Sequence, residues 1–337
     1  MSNLFRKAAI FTDIHFGLKS NSLQHNIDCA NFVDWFIDKS KKEQCDTCFF
    51  LGDYNHHRAS INIQTLQFGL KALEKLNQNF SQVYFIPGNH DLYYRDRRDI
   101  HSVEWANHLP NVHIVNDFFK QDDVVICPWL VQDDYKKIKK MSGKYLFGHL
   151  ELPYFYMNAM VEMPDHGEIN EEHFVGFESA FSGHFHKRQA RKNIWYIGNA
   201  FPHNYADAGD DARGMMILEW GENLQYYTWP NQPTFRTIKL TQLIDEQSSI
   251  IKPKQHLRVS LDVDISYEES NHIKEEFFNK YEIRELTLIP EKREVEFASD
   301  LEIKHFESVD QIVMNQLTSL ESDTYNVKLL TEIYNNL

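Results

Sequence analysis

Residues 45–53 read CDTCFFLGD, an apolar run that stops abruptly at a Gly-Asp pair. A short apolar run bounded by polar residues reads as a buried strand. Its stop at Gly52-Asp53 leaves a carboxylate at the strand's carboxyl end. Cys45 and Cys48 form a lone CxxC with no second pair, so they read as small apolar residues entering that strand. Upstream, KAAIFTDIHFG (7–17) is a second β-rich run ending in polar residues; downstream, VYFIPGNHD (83–91) is a third. Between them, residues 26–43 carry Ile27, Ala30, Val33 and Ile37 at helical spacing. The stretch INIQTLQFGLKALEKL (61–76) sets Leu66, Leu70, Leu73 and Leu76 on one face. Strands alternating with helices predict an α/β sheet with helices on its faces.

After about residue 112 the pattern changes to short strands: VHIVN (112–116), VVICPWL (124–130), KYLFGHLEL (144–152), SAFSGHFH (179–186), NIWYIGNAF (193–201), GMMILEW (214–220) and LQYYTWP (224–230). They predict a second sheet packed on the first. WPNQPTF (229–235) reads as a domain boundary. Beyond it, LRVSLDVD (257–264), SYEESNHIKEEFFNKY (266–281) and IRELTLIP (283–290) read as strand, helix and strand, a small α/β cap. VDQIVMNQL (309–317) and YNVKLLTEIYNNL (325–337) read as short amphipathic helices. The expected fold class is α/β, two packed mixed β-sheets flanked by helices with a small α/β cap domain and C-terminal helices. The expected domains are 1–228, 237–292 and a helical segment 305–337.

Composition narrows the function classes. The 337 residues are 42% apolar and 14% aromatic, which reads as globular rather than disordered. Net charge is −14, and residues 241–337 carry 20 acidic and 10 basic side chains. The chain is therefore no general polyanion binder, and any grip on nucleic acid must come from metal ions, a partner or local patches. Two patches qualify: YYRDRRD (93–99), with Arg95, Arg97 and Arg98, and HKRQARK (186–192), with Lys187, Arg188 and Arg191. The longest apolar run, 124–131, is too short to cross a bilayer. With four cysteines and no targeting segment, a reducing, cytoplasmic setting is expected.

The polar strand ends share one chemistry. Asp13 and His15 lie at i,i+2, as do His184 and His186, so each pair points one way from an extended segment. Asp53, Asn89, His90, Asp91 and His149 follow other strands. Ligands of open α/β sheets lie outside the carboxyl ends of the strands. Setting His90 apart, Asp13, His15, Asp53, Asn89, His149, His184 and His186 supply seven oxygen or nitrogen donors. That is too many for one tetrahedral ion and right for two, with Asp53 the natural bridge. Two metal ions roughly 3.5–4 Å apart can clamp a phosphoryl group. The donor set contains no thiolate and suits manganese, iron or zinc rather than magnesium alone.

The ordered set D-x-H, G-D, G-N-H-D, G-H, G-H-x-H resembles the calcineurin-like metallophosphoesterases over residues 8 to about 220. The resemblance implies their αββα sandwich. Phosphoprotein phosphatases of that superfamily usually read G-D-x-x-D-R-G at the second motif. Here GDYNHHR places His56 where the acid would stand. That pattern is similar to the SbcD-type DNA-repair nucleases. GHLELPYFY, SGHFHKRQARKNIWYIGNAF and DDARGMMILEW look closest to the nuclease subunits of T-even-like phage recombination endonucleases.

Carried over by motif, Asp13, His15, Asp53 and His186 would hold one ion, and Asp53, Asn89, His149 and His184 the other. His90 would act on the leaving oxygen with Asp91 orienting its ring, and His56 would contact phosphate. The resemblance further implies manganese, a DNA substrate cut at duplex ends and in single strands or hairpins, and an SbcC-type SMC-like ATPase partner docking on the terminal helices. It implies a host cytoplasm if the chain is phage-encoded. Homodimerisation is left open. A phosphoesterase acting on small nucleotides or phosphoproteins shares every ligand and is the alternative. One departure from the family stands out. Asn199-Ala200 replaces the usual Ser/Thr-Pro, and FPHNYAD follows, whose His203 reads as a loop residue packing the sheet end.

Overall fold

The computed structural model describes residues 3–158, 161–222 and 224–290. The expected helical segment 305–337 lies outside them. Among the described residues, the first half runs β1 (Lys7–Phe11), α1 (Leu23–Lys42), β2 (Thr47–Phe50), α2 (Ile63–Asn79), β3 (Gln82–Phe85) and β4 (Val112–Ile114). The chain continues through β5 (Phe119–Gln121), β6 (Val124–Ile126), β7 (Gly143–His149), β8 (Phe177–Gly183), β9 (Gln189–Arg191) and β10 (Ile194–Tyr196). Then come β11 (Gly214–Glu219), β12 (Leu224–Thr228), β13 (Thr234–Lys239), α3 (Leu240–Asp245), β14 (Gln255–Leu261), α4 (Tyr267–Lys280) and β15 (Glu285–Pro290).

Two six-stranded mixed sheets pack face to face, in the orders β12-β11-β1-β2-β3-β4 and β5-β6-β7-β8-β10-β9. β1 to β4 are mutually parallel, as are β6, β7, β8 and β10, while β11 runs antiparallel to β1, β5 to β6 and β9 to β10. The order corrects the expected division of strands. β4, β11 and β12 join the first sheet rather than the second, because β11 pairs antiparallel with β1 and carries β12 with it. Short strands carry no signal in sequence for which sheet edge they will meet.

The period-two alternation of β1 and β2 decides what each face buries. Ala8, Ile10, Phe49 and Leu51 face the second sheet and meet Phe147 and Phe181. Phe49 stacks on Phe147 with ring centroids 4.1 Å apart, an arrangement worth about 0.5–1.5 kcal/mol beyond the area it buries. Ala9, Phe11, Cys48 and Phe50 face outward under α1 and α2. The buried stripe of α1 centres on Cys29, Phe32, Val33 and Phe36, so Ile27 and Ala30 turn half away. In α2 it is Thr65, Gly69, Ala72, Leu73 and Leu76, with Leu66 and Leu70 at its edge. Aromatic bulk in α1 and small residues in α2 set those rotations. Ser22 and Asn62 cap the two helices.

The far face of the second sheet is covered by loops and short helical turns around Phe155, Phe174 and Ile138. A third, all-parallel sheet β13-β14-β15 packs with α3 and α4 around Leu257, Val259, Phe277 and Leu286. It begins at Thr234, inside the stretch that reads as a boundary. Arg284, just before β15, reaches Asp28 on α1 in a two-bond ion pair of 2.5 and 2.8 Å. Among the described residues, no helix is long and apolar enough to cross a membrane.

Candidate metal centre

The carboxyl ends of β1, β2, β3, β7 and β8 converge at one rim, and each contributes a polar loop. Asp13 and His15 follow β1, Asp53 follows β2, Asn89 and His90 follow β3, His149 ends β7, and His184 and His186 follow β8. The loops touch with no spare room. A Cβ on Gly52, whose φ is +102°, would fall 2.3 Å from His149 Nδ1, and one on Gly88 would fall 2.3 Å from the Asp53 amide nitrogen. Asp13, His15, Asp53 and His184 themselves sit at φ of 51°, 52°, 61° and 83°, in the left-handed region.

Two clusters result. Asp13, His15 and His186 bring one ligand atom each within 4.8 Å of one another, and so do Asp53, His149 and His184. Asp53 Oδ2 stands between them, 3.7 Å from His15 Nε2 and 3.4 Å from His149 Nε2. Asn89 Oδ1 lies 3.1 Å from His149 Nε2 and 3.0 Å from His184 Nδ1. All seven expected donors are therefore brought together. Burial raises the cost of a charge on Asp53, but the imidazoles of His149 and His15 outweigh it and hold its carboxyl well below the usual range.

The donor atoms fit a pair of divalent ions. Asp13 Oδ1 and His15 Nε2 are buried and have no hydrogen-bond partner. Buried polar atoms left unpaired are costly, and these two face each other across 3.9 Å. The other side-chain atoms of Asp13 and His149 are committed. Thr12 Oγ1 and the His184 amide donate to Asp13 Oδ2, at 2.6 and 3.0 Å. His149 Nδ1 donates to the Leu51 carbonyl at 2.5 Å, which turns Nε2 toward Asp53. Such outer contacts fix ring orientation and tautomer at metal sites.

His90 and His56 stack beside the first cluster, centroids 5.1 Å apart, with His90 4.9 Å from His15. Burial, then the neighbouring His90, lowers His56 to about 4. The expected role of Asp91 needs correcting. The His90 ring is oriented by the His56 carbonyl, 2.7 Å from Nδ1. The Asp91 carboxylate instead accepts the backbone amides of Tyr54, Asn55 and Gly88, tying two ligand loops together. Burial, with the Asp53 charge beside it, raises Asp91 to about 6.

Three contacts at the site were not foreseen. His203 is buried and donates from Nε2 to the Asp13 carbonyl at 2.8 Å, so it does more than pack a sheet end. His25 lies in the same relation to the His15 carbonyl, at 3.0 Å. Trp129 walls the second cluster, 5.2 Å from His184. Only the extra imidazole in FPHNYAD gave any signal of this.

The basic residues divide. Arg98 is committed to Asp134 and to the carbonyls of Asn116 and Trp129, so it is no free cation. Arg188 is mostly enclosed, donates to the Ile197 carbonyl and lies over Tyr226. Arg191 pairs with Glu171. Arg95 and Arg97 are exposed, with Arg97 over Tyr94 and beside Asp99. Lys187 lies over Tyr156. The four cysteines are free and buried, and Cys45 and Cys48 sit in the apolar layer under α1.

The αββα arrangement and the clustered donors describe a dimetal phosphoesterase, and the chain belongs to the calcineurin-like phosphoesterase family, whose pattern matches residues 6–188. It is 26% identical over 216 residues to "Exonuclease subunit 1" of Enterobacteria phage T4, a match covering 61% of this chain and 62% of that relative. Among solved structures it is similar to a phosphoesterase from E. coli (13% identity, 67% of this chain and 94% of that one, TM-score 0.35). It is also similar to a dimetal phosphatase from Danio rerio (10% identity, 65% and 93%, TM-score 0.39).

Proposed function

We propose that the chain is the nuclease subunit of a two-metal DNA-cleaving complex, a phosphodiesterase acting on duplex ends and on single strands or hairpins in recombination, repair and replication. One observation carries the reading: Asp53, a member of the second cluster, also reaches toward the first, its Oδ2 lying 3.4 Å from His149 Nε2 and 3.7 Å from His15 Nε2. Asp13, His15, Asp53 and His186 would hold one ion, and Asp53, Asn89, His149 and His184 the second, with manganese the favoured metal. When bound, such a pair supplies neutralisation of phosphoryl charge and activation of water at neutral pH. His56 and His90 flank the first cluster, where His56 can bind a phosphate oxygen. His90 can protonate the departing oxygen from the ring nitrogen not bonded to the His56 carbonyl.

DNA as substrate is supported by the phage exonuclease subunit. That relative's designation as a subunit also supports a partner, which we take to be an SMC-like ATPase. The third sheet would contact DNA, and residues 305–337 would dock the partner. The test is cleavage of labelled duplex and hairpin DNA with manganese, with and without the cognate ATPase, beside bis(p-nitrophenyl) phosphate and a phosphopeptide. Hydrolysis of the small ester or phosphopeptide with intact DNA overturns the nuclease reading. Deleting residues 305–337 is expected to leave metal-dependent cleavage and abolish co-purification with the ATPase.

A further inference from the structure

The surface beside His186 carries more exposed aromatic area than the metal centre needs. Tyr154, Tyr156 and Met157 are 46%, 41% and 36% exposed and follow closely after His149 in the chain. They are not on a loose loop. The backbone amide of Tyr154 donates to the Met163 carbonyl at 2.9 Å, that of Met163 to Phe155 at 2.8 Å and that of Met157 to Val161 at 2.7 Å, so residues 154–157 pair with 161–163. The Phe155 ring points the other way and is buried against Tyr196. Gln189 clamps the backbone of Tyr156 from both sides, accepting its amide at 2.8 Å and donating to its carbonyl at 2.6 Å. The amide of His186 bonds the Met157 carbonyl at 3.1 Å, so the segment is fastened directly to a residue of the first cluster.

Burying Phe155 while holding two tyrosines outward fixes them as a platform rather than as core. A cation accompanies it. Lys187 Nζ lies 4.4 Å from the centre of the Tyr156 ring and makes no ion pair among the described residues. An aromatic ring with an unpaired ammonium over one face suits a single nucleic-acid strand: a base stacks on the opposite face and the lysine turns to meet the phosphate. A duplex keeps its base faces hidden and could not use the ring.

We propose that Tyr156, with Tyr154 and Lys187, forms a stacking ledge for an unpaired strand next to the metal centre. It would guide a melted end or a hairpin loop toward His186. The inference rests on the nuclease reading above and specifies how that site takes its substrate.

The test titrates a fluorescein-labelled thymidine strand of about 15 nucleotides, near the upper end of known single-strand site sizes, into the full chain. Tyr156→Ala is expected to raise Kd roughly 5- to 150-fold, the fold-change of one lost base stack. Tyr156→Phe is expected to stay near the unmodified protein, and Lys187→Gln to lower the salt slope by about 0.7. Tyr154→Ala gives a second, independent reading of the ledge. Binding by Tyr156→Ala equal to that of the unmodified protein, which itself binds and cuts the strand, overturns the ledge and leaves the nuclease reading standing. An unmodified protein that hydrolyses bis(p-nitrophenyl) phosphate yet neither binds nor cuts the strand overturns both.

Discussion

The Nε2–H of His203 donates to the carbonyl of Asp13 across 2.8 Å, joining residues 190 positions apart in the chain. His25 does the same for the carbonyl of His15 at 3.0 Å, and the His25 and His203 rings pack edge to face 5.5 Å apart. Both carbonyls belong to candidate ligands held at positive φ. Two buried imidazoles thus brace the D-x-H turn from behind. His203→Ala is expected to weaken manganese binding by about 10–100-fold, as loss of an outer contact commonly does. Calorimetric titration checks it, with circular dichroism reporting on the fold. Unchanged affinity would remove the brace.

His90→Asn is expected to keep both ions and lose turnover by about 10²–10⁴-fold, the usual contribution of a placed acid. Calorimetry would count the ions and a stopped nuclease assay the rate. Loss of an ion instead would reassign His90 as a ligand.

Asp28 is buried and Arg284 is its two-bond partner. Arg284→Ala leaves that carboxylate unpaired and is expected to cost about 3–5 kcal/mol in urea unfolding. The double change Asp28→Ala/Arg284→Ala is expected to cost less than the single one. A double variant less stable than Arg284→Ala would contradict this account.

Burial works against a charge on Asp134, but Arg98 and Lys137 donate to it and hold its carboxyl below the ordinary value of 3.8. A folded-state value depressed in this way contributes stability that is present above about pH 4 and lost as pH falls through the lower folded value. Asp134→Asn should therefore lower Tm at pH 7, and the gap to the unmodified protein should shrink toward pH 3. A gap that widens on acidification would reverse the sign.

Burial pushes the Cys45 thiol up to about 12 and raises Cys29, Cys48 and Cys127 as well. Thiolate is the reactive form, so a chromogenic disulfide reagent at pH 8 is expected to titrate none of them in the native protein and all four cysteines after unfolding. Prompt reaction of Cys45 would show an open path to the CxxC.

The convergence of Asp13, His15, Asp53, Asn89, His149, His184 and His186 was legible because each follows or ends a short apolar run, and parallel strands bring their carboxyl ends to one rim. The same logic could not assign β11 and β12 to a sheet. β11 pairs with β1, about 200 residues earlier, and β12 follows it there; nothing local encodes that pairing. Nor could it see that Asp91 would be taken up by three backbone amides, since loop-to-loop hydrogen bonds leave no periodic trace. Arg98 looked like a member of a surface patch. Only the approach of Asp134 and of two carbonyls from other loops turns it inward.

Four residues of the centre carry side chains where the backbone favours glycine. Residues held in such conformations commonly cost about 1–3 kcal/mol each, sustained by the surrounding packing. Breeding this protein for heat tolerance alone, with no demand on turnover, should therefore erode its chemistry first. Glycine would spread at Asp13, His15, Asp53 and His184 while the aromatic interior stayed intact, and the hardiest descendants would be inert.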